Sequence, residues 1–165
     1  MYVSHLACPK CNQTYASETL IQLCECGSPL LVEYHLEKIK TVLGKEMLKN
    51  RNPDLWRYRE LLPVKDKKNI ITLGEGMTPL LHLKRLGKEI GLEQLYLKDE
   101  GIIPSGTFKA RGAAVGVSKA RELNISVLAM PTNGNAGAAW AVYCAPAKIK
   151  AVIVMPEDAP PIPRG

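Results

Sequence analysis

The pattern of apolar and polar positions is most regular in the second half of the chain, where short apolar runs alternate with longer segments of helical spacing. It predicts strands at 96–98, 127–130 and 151–155, and helices at about 108–123 and 135–144. Strands that are separated by helices of this length favour parallel pairing with right-handed crossovers. We therefore expect an α/β fold with a doubly wound parallel sheet, whose ligands bind beyond the carboxyl ends of the strands.

Proline is expected to end the second of these helices. Pro146 would cost about 3 kcal/mol inside a helix, and no glycine follows it to provide a C-terminal stop. We expect the helix to end early, near Tyr143 or Cys144. Three further prolines are expected to leave the chain extended up to its last residue: Pro160, Pro161 and Pro163.

The segment before this alternation predicts packing elements rather than a recognition surface. Apolar residues recur at helical spacing from residue 36 to residue 48, until Asn50 and Pro53 interrupt the pattern. Residues 55–64 contain Trp56 and several other apolar side chains. We expect them to form a docking segment or a short helix.

The first 33 residues differ in composition from the rest, because they hold four of the five cysteines. Short extended pieces are expected around residues 4–7, 13–15 and 30–34, on either side of two cysteine turns. A unit of this size buries too little apolar surface to fold alone and needs a stabilising cross-link, such as a disulfide or a bound metal ion. The cysteines of the two turns are Cys8 and Cys11, then Cys24 and Cys26.

Two such turns supply the four sulfurs that a tetrahedral zinc ion requires, and structural zinc contributes folding free energy directly. The second pair differs from the usual zinc-ribbon pattern, because a single residue separates Cys24 from Cys26 and zinc ribbons usually have two or more residues between the cysteines of each pair. Reduced, metal-free thiols and a pair of disulfides remain as alternatives. Cys144 lies in a helical pattern of small residues and is expected to pack as a small apolar group.

Composition and charge exclude some classes of function. Apolar residues make up 46% of the chain and charged residues 23%, close to the average of globular proteins. The apolar stretches are far shorter than the roughly 20 residues that cross a bilayer, and the N-terminus lacks the features of a secretory signal. We expect a cytoplasmic protein without membrane contact. The net charge of +6 is scattered, without the basic and aromatic interleaving of a nucleic-acid module, so we expect no nucleic-acid partner.

A lysine at the start of the first long helix is the main candidate for chemistry. Residues 104–113 read PSGTFKARGA, in which Ser105 or Thr107 is expected to cap the helix and Lys109 lies in its first turn. The positive end of the helix dipole opposes the ammonium form there and favours the neutral amine, which is the form that reacts with an aldehyde. On position alone, Lys109 is otherwise an ordinary surface lysine.

This segment resembles the cofactor-lysine motif of the fold-type-II pyridoxal-phosphate enzymes, and every position of that motif matches, from the proline to the Arg-Gly after the lysine. The resemblance implies that Lys109 binds pyridoxal phosphate and that Phe108 packs near the cofactor ring. It also implies that Ser105 and Thr107 belong to the substrate site. Neither a Walker loop nor a GxGxxG turn is found in the sequence.

A second match follows the next predicted strand, where residues 131–140 read PTNGNAGAAW. Exposed N–H groups at the start of the following helix form a site for an anion such as a carboxylate. The run looks like the asparagine loop of the same enzymes, which implies that Asn135 hydrogen-bonds the ring hydroxyl of the cofactor. Thr132, Asn133 and Gly134 would then surround the substrate carboxylate. An ordinary strand-to-helix turn, in which Asn and Gly are frequent, is the alternative.

Two further runs, LGEGMTPL at 73–80 and LKDE at 97–100, resemble the entry motif of these enzymes and the strand that leads to the lysine loop. Together with the cysteine unit, they make the chain most similar to the threonine synthase family. The resemblance implies a phosphorylated amino acid as substrate, with O-phosphohomoserine and water converted to threonine and phosphate, and a homodimer in the full-length form. Serine or threonine dehydratases, cysteine and cysteate synthases, and a non-catalytic zinc-ribbon remnant remain as alternatives.

By this resemblance the chain holds only part of the fold. The glycine-rich loop for the cofactor phosphate, the hydroxyl residue opposite the pyridine nitrogen and the remaining strands lie beyond residue 165 in relatives. We therefore expect a zinc-ribbon-like unit at 1–33 and a helical linker or docking segment at 34–72. An incomplete fold-type-II catalytic domain, with a partial doubly wound sheet, is expected at 73–165, and we expect the chain to be inactive alone.

Overall fold

The computed structural model of the chain describes residues 2–159, so the extended segment expected at the last three prolines lies outside the described residues. The chain begins with a small antiparallel sheet of three strands, in which the first strand of the chain pairs with both others. These strands confirm the three extended pieces that were expected beside the cysteine turns: β1 (Val3–Ala7), β2 (Thr14–Tyr15) and β3 (Leu31–Tyr34).

The linker forms several short helical pieces instead of one amphipathic helix. The predicted segment is divided into α1 (Leu36–Lys40) and α2 (Lys45–Lys49). Ile39 is buried in α1, and α2 has no buried residue, so neither helix has the apolar stripe that would hold a longer helix on a core. The short helix expected in residues 55–64 forms as 3-10 turns at Leu55–Leu61, with a kink at Tyr58, and Trp56 is buried in it. A second 3-10 helix follows at Lys67–Asn69.

The strand predicted at 96–98 forms, but in a different sheet from the one expected. β4 (Leu80–His82) pairs antiparallel with β5 (Tyr96–Lys98), and α3 (Lys84–Glu89) lies in the connection between them. Within residues 2–159, β5 has no parallel neighbour, so the prediction of three parallel strands in one sheet is wrong for this part of the chain. An apolar run of three residues is compatible with either kind of pairing, and the contact with β4 decides between them.

A βαβ unit and the helix before it confirm the α/β class. α4 (Lys109–Glu122), β6 (Val127–Pro131), α5 (Asn135–Ala147) and β7 (Lys150–Val154) follow one another close to their predicted positions. β6 and β7 pair in parallel over five residue pairs, and α5 forms the crossover between them. This unit supplies one parallel pair of the predicted sheet.

Small side chains allow α4 and α5 to approach closely. Gly116 of α4 lies against the Trp140 ring of α5, where an added Cβ would be 2.5 Å from the ring carbon Cη2. Cys144 is buried among apolar side chains, which confirms its predicted packing role. The two helices supply most of the core: Ala110, Ala113, Ala114, Val117, Ala120, Ala139, Tyr143 and Cys144.

Helix α5 continues beyond its expected end. Pro146 lies in the last turn, and the helix runs on to Ala147. Lys148 then ends it in the left-handed conformation (φ 57°), and the Lys148 N–H donates to the carbonyls of Ala145 and Cys144. The prediction of an earlier end is wrong, because a proline in the last turn removes only one hydrogen bond of the helix and the turn before it is held in the core.

Within the described residues, one face of the β6–β7 pair is exposed. Side chains alternate between exposed and half-buried along both strands, and the exposed ones include Val127, Val152 and Val154. Parallel strands in α/β proteins are usually covered by helices on both faces. Among residues 2–159, no helix combines the length and apolar character that a bilayer crossing requires.

Candidate functional site

Lys109 is the exposed first residue of α4. Its Nζ lies 4.5 Å from the centroid of the Phe108 ring, so the amine faces an aromatic surface. The Thr107 hydroxyl accepts a hydrogen bond from the Lys109 backbone N–H at 3.3 Å. The N-cap position is Phe108, which provides no side-chain cap, so the predicted cap by Ser105 or Thr107 does not form there. The helix start therefore presents the amine of Lys109 beside a ring.

The loop before Lys109 has an unusual backbone at Ser105. This residue occupies the left-handed region (φ 73°) and is followed by Gly106 (φ 67°). Strain of this kind in a non-glycine residue is common at binding sites. The Ser105 hydroxyl oxygen is buried and has no hydrogen-bond partner among residues 2–159. Ser105 therefore does not cap the helix, and its hydroxyl is available to a ligand.

The asparagine loop joins β6 to α5. The Thr132 N–H donates to the Val154 carbonyl at 2.9 Å, which extends the sheet into the loop. The Thr132 hydroxyl oxygen accepts the Gly134 N–H at 3.0 Å. Asn133 is exposed in the loop, and Asn135 is the exposed first residue of α5. The two asparagines thus lie at the carboxyl end of β6, where parallel sheets usually bind their ligands.

Gly137 brings the start of α5 onto the sheet. An added Cβ would lie 2.6 Å from Thr132 Cγ2 and 2.7 Å from Ile153 Cγ2, so a larger residue displaces one of these side chains. This close approach holds the first turn of α5, which includes Asn135, against the ends of the strands.

The lysine loop and the asparagine loop each lead into one of two helices that contact each other. Lys109 and Asn135 each begin one of two long helices that pack on each other. The structure therefore gives each predicted site residue a position at or just before a helix start. The roles toward a cofactor or substrate stay predictions for the whole set: Ser105, Thr107, Phe108, Lys109, Thr132, Asn133, Gly134 and Asn135.

A partly buried ion pair positions the segment that carries Lys109. Arg111 donates two hydrogen bonds to the Glu100 carboxylate, at 2.7 and 2.8 Å, and the Thr78 hydroxyl donates a third. The Arg111 guanidinium, followed by the Thr78 hydroxyl, lowers the pKa of Glu100 to about 2. Because these three residues come from the entry motif, the segment before the lysine loop and α4, the network ties all three segments together.

Glu75 is fully buried and joins a further set of segments. Its carboxylate accepts hydrogen bonds from the Trp56 indole at 3.0 Å and from the Tyr143 hydroxyl at 2.7 Å. It also accepts from the Thr72 hydroxyl and the Leu73 N–H. Burial is the main factor that raises the pKa of the Tyr143 hydroxyl, and the hydrogen bond to the Glu75 carboxylate raises it further. Sequence reasoning missed this role of Glu75, although the residue lies in a motif that resembles the entry motif of the enzymes.

The four clustered cysteines lie together in the first unit. All four Sγ atoms are within 4.8 Å of one another, and all four are free thiols. Cys8 Sγ lies 3.5 Å from Cys26 Sγ, and Cys11 Sγ lies 3.5 Å from Cys24 Sγ, so each contact joins one turn to the other. The single spacer between Cys24 and Cys26 does not keep either sulfur out of the cluster. Such a group can hold a metal ion.

The thiols of this cluster differ in their ionisation. Burial opposes ionisation of Cys8, but the backbone N–H groups of Cys11 and Lys10 outweigh it and lower the pKa of the Cys8 thiol to about 6. A backbone hydrogen bond from Ser28 favours the Cys26 thiolate, but the Cys8 sulfur and burial outweigh it and raise the pKa of Cys26 to about 12. At neutral pH the free cluster therefore combines a thiolate at Cys8 with a protonated thiol at Cys26, whereas coordination to a cation deprotonates all of its ligands.

Comparison with known proteins identifies the family. Residues 71–164, more than half of the chain, match the family described as pyridoxal-phosphate dependent enzymes. The chain belongs to this family. The matching segment contains both candidate loops, with Lys109 and Asn135, while the cysteine cluster lies before it.

Individual members of the family point to a narrower group. The chain is 43% identical over 150 residues to the threonine synthase of Methanocaldococcus jannaschii, which is 91% of this chain and 37% of that protein. It is 41% identical over 153 residues to the threonine synthase of Methanosarcina acetivorans, which is 92% of this chain and 37% of that protein. A threonine synthase of Halalkalibacterium halodurans is 43% identical over 103 residues, or 62% of this chain and 29% of that protein.

These comparisons confirm the similarity to threonine synthases that the motifs predicted. The chain spans 37% of the length of the first two relatives, well under half of either protein. Both alignments leave out less than a tenth of this chain, so they include most of the region before residue 71.

Proposed function

We propose that this chain carries the cofactor-lysine part of a pyridoxal-phosphate-dependent lyase that converts O-phosphohomoserine and water to threonine and phosphate. The observation that carries the proposal is the position of Lys109, an exposed amine at the first residue of α4, inside the segment that matches the family. The similarity to several threonine synthases supports this choice of reaction over other reactions of the family.

The residues of the lysine loop fit a cofactor of this kind. Pyridoxal phosphate, when bound, supplies an electron sink for bonds that break next to the substrate nitrogen. Lys109 holds it through Nζ and moves a proton at that atom once the amine is free. Phe108, whose ring already lies beside Nζ, offers an apolar surface to the cofactor, and the buried Ser105 hydroxyl offers a hydrogen bond to a ligand.

The start of α5 fits the negatively charged part of an amino-acid substrate. The first N–H groups of a helix lack partners within the helix and carry its positive dipole end, so they attract a carboxylate. In this proposal the side chains of Thr132 and Asn133 and the backbone at Gly134 orient that carboxylate. Asn135, one residue further along, holds the ring hydroxyl of the cofactor. The homodimer and the cytoplasmic location stay predictions.

The test uses this chain joined to the remaining part of the Methanocaldococcus jannaschii threonine synthase, because the chain covers 37% of that protein. The joined protein is loaded with pyridoxal phosphate, reduced with borohydride and digested, and we expect the cofactor mass on the peptide that contains Lys109. Lys109→Ala should abolish this label. It should also slow threonine formation by about 10²- to 10⁴-fold, the usual contribution of a proton-transferring side chain.

Lys84→Ala is the matched control, since Lys84 is also the exposed first residue of a helix, α3. This variant should keep both the label and the activity. A label on a different lysine would contradict the role of Lys109. If Lys109 carries the label but O-phosphohomoserine releases no phosphate, product analysis with serine, threonine and O-acetylserine would assign the site to a dehydratase or a cysteine synthase instead.

A further inference from the structure

The four thiols of the first unit have the spacing of a metal site. Zinc–sulfur bonds of about 2.3 Å place the sulfur atoms of a tetrahedral site about 3.8 Å apart. The contacts Cys8–Cys26 and Cys11–Cys24 are 3.5 Å, and all four sulfurs lie within 4.8 Å of one another. Small shifts therefore suffice to place one ion at bonding distance from every sulfur.

Apolar burial contributes little to the folding of this unit. Among residues 2–33, the buried apolar side chains are Val3, Cys8 and Cys24, and two of these three are members of the cluster. Leu20 and Leu31 are 65% and 52% exposed, so they add little to a core. A unit of this size without a core needs a cross-link, and a metal ion held by both turns provides one.

Tyr15 gives the cluster an additional polar contact. Its hydroxyl lies 3.1 Å from Cys24 Sγ and accepts the backbone N–H of Glu25 at 3.2 Å. Because the oxygen already accepts one hydrogen bond, its own proton is free to point at the sulfur. A coordinated thiolate is an acceptor, so the Tyr15 hydroxyl becomes its donor. Pairing of β2 with β1, where Tyr15 lies opposite Leu6, holds the ring in place.

The unit contacts the catalytic part at a distance from Lys109. Leu6 and Val32 line a cleft together with Pro63 and Leu123, the residue that follows the last turn of α4. Lys109 is at the other end of this 14-residue helix, which is about 20 Å long at 1.5 Å per residue. This contact between the unit and α4 therefore lies at the end of the helix away from Lys109, which is consistent with a structural role for a bound metal ion.

We propose that Cys8, Cys11, Cys24 and Cys26 bind one structural Zn²⁺ ion, with the Tyr15 hydroxyl as a positioning group that donates to the Cys24 sulfur. Four thiolates and one Zn²⁺ carry a net charge of −2, which the Tyr15 hydroxyl and the Cys11 N–H, 3.5 Å from Cys8 Sγ, partly offset. Each thiol that is protonated before binding releases its proton to solvent. Soft sulfur ligands in this number exclude Mg²⁺ and Ca²⁺, which prefer oxygen.

The experiment measures metal binding by the chain itself, without reference to catalysis. Protein stripped of metal under reducing conditions is titrated with Zn²⁺ against a chromophoric chelator, and Co²⁺ is used as a spectroscopic substitute. We expect one Zn²⁺ per chain and a Co²⁺ spectrum of a tetrahedral site with four thiolates. Tyr15→Phe should weaken Zn²⁺ binding about 10- to 100-fold, as is usual for partners of metal ligands.

Tyr34→Phe is the matched control, because Tyr34 is a half-buried tyrosine of the same small sheet but lies on β3. Its Zn²⁺ affinity should equal that of the parent chain. Binding of much less than one Zn²⁺, or two disulfides found by mass in protein purified without reductant, would overturn the site. Equal affinity of the Tyr15→Phe and parent chains would overturn the role of Tyr15. Since pyridoxal phosphate takes no part, failure here leaves the proposed reaction unaffected.

Discussion

At the scale of single residues, the Glu100 carboxylate is held ionised by the groups around it. Arg111 and Thr78 both donate to it, and the pKa of Glu100 falls from an ordinary 4.5 to about 2. A lowered folded-state pKa stabilises the fold at pH values above the ordinary one. This contribution is lost as the pH falls from about 4.5 through 2.

We therefore predict that Glu100→Gln lowers the free energy of unfolding at pH 7 by about 1 to 2 kcal/mol. The lowered pKa corresponds to at most about 3 kcal/mol. The Arg111 and Glu100 side chains are 32% and 21% exposed, and solvent screening reduces the value. The difference between variant and parent should shrink as the pH falls from 5 to about 2. Urea unfolding across this pH range measures it.

Glu46→Gln is the control for this prediction. Glu46 also pairs with a basic residue, Lys49, but its side chain is 84% exposed. Exposed pairs contribute little, so the variant should unfold like the parent at every pH. A Glu100→Gln variant whose loss of stability stays constant down to pH 2 would show that packing, and not charge, accounts for the effect.

At the scale of secondary-structure elements, the contact between α4 and α5 is built around glycine and alanine. Gly116 and Gly112 lie in the same helix, yet their surroundings differ. A Cβ at Gly116 would meet the Trp140 ring at 2.5 Å, whereas a Cβ at Gly112 would meet nothing within 4 Å. The same substitution at the two positions therefore separates helix propensity from packing.

We predict opposite effects of alanine at these two glycines. Gly112→Ala should raise the free energy of unfolding by about 0.5 to 1 kcal/mol, because alanine loses less backbone entropy in a helix. Gly116→Ala has the same gain in helix propensity, but the new Cβ forces the Trp140 ring to move. Because such overpacking costs about 1 to 3 kcal/mol, the free energy of unfolding should fall by about 1 kcal/mol. Urea unfolding midpoints compare the two, and a gain at both positions would disprove the tight contact.

At the scale of the whole molecule, the described part of the chain leaves apolar sheet surface open. Val127 and Val154 are 50% and 55% exposed on the face of the β6–β7 pair. The β4–β5 hairpin is exposed on both strands, with Leu80 at 63% and Tyr96 at 47%. The relatives are more than twice as long as this chain, so they contain additional chain that can cover such surfaces.

We predict that the 165-residue chain alone retains pyridoxal phosphate weakly and makes no threonine from O-phosphohomoserine, while the version joined to the relative's remaining part does both. The cofactor phosphate needs a nest of N–H groups or cations, and the glycine-containing turn at the start of α5 is assigned to the substrate carboxylate. Phosphate release, measured side by side at equal concentration, tests this. Comparable rates for the two proteins would mean that the phosphate site lies within this chain.

The local part of the fold could be predicted from the sequence with good accuracy. Periodicity acts over a few residues, so α4, β6, α5 and β7 lie close to their expected positions, and Lys109 lies in the first turn of α4 as expected. Local turn signals in the sequence likewise predicted that the four clustered cysteines lie in two turns. These features depend on backbone conformation and on neighbours along the chain, which the sequence displays directly.

The sequence by itself thus determined the elements, the cysteine turns and the candidate residues at the helix starts. The tertiary structure alone decided which elements meet: β5 pairs with β4, α5 continues through Pro146, and Glu75 receives the Trp56 and Tyr143 hydrogen bonds. Strand partners, helix ends in a core and buried carboxylate contacts depend on residues far apart in the chain. Their free energies arise only when the whole segment packs, so no local pattern reports them.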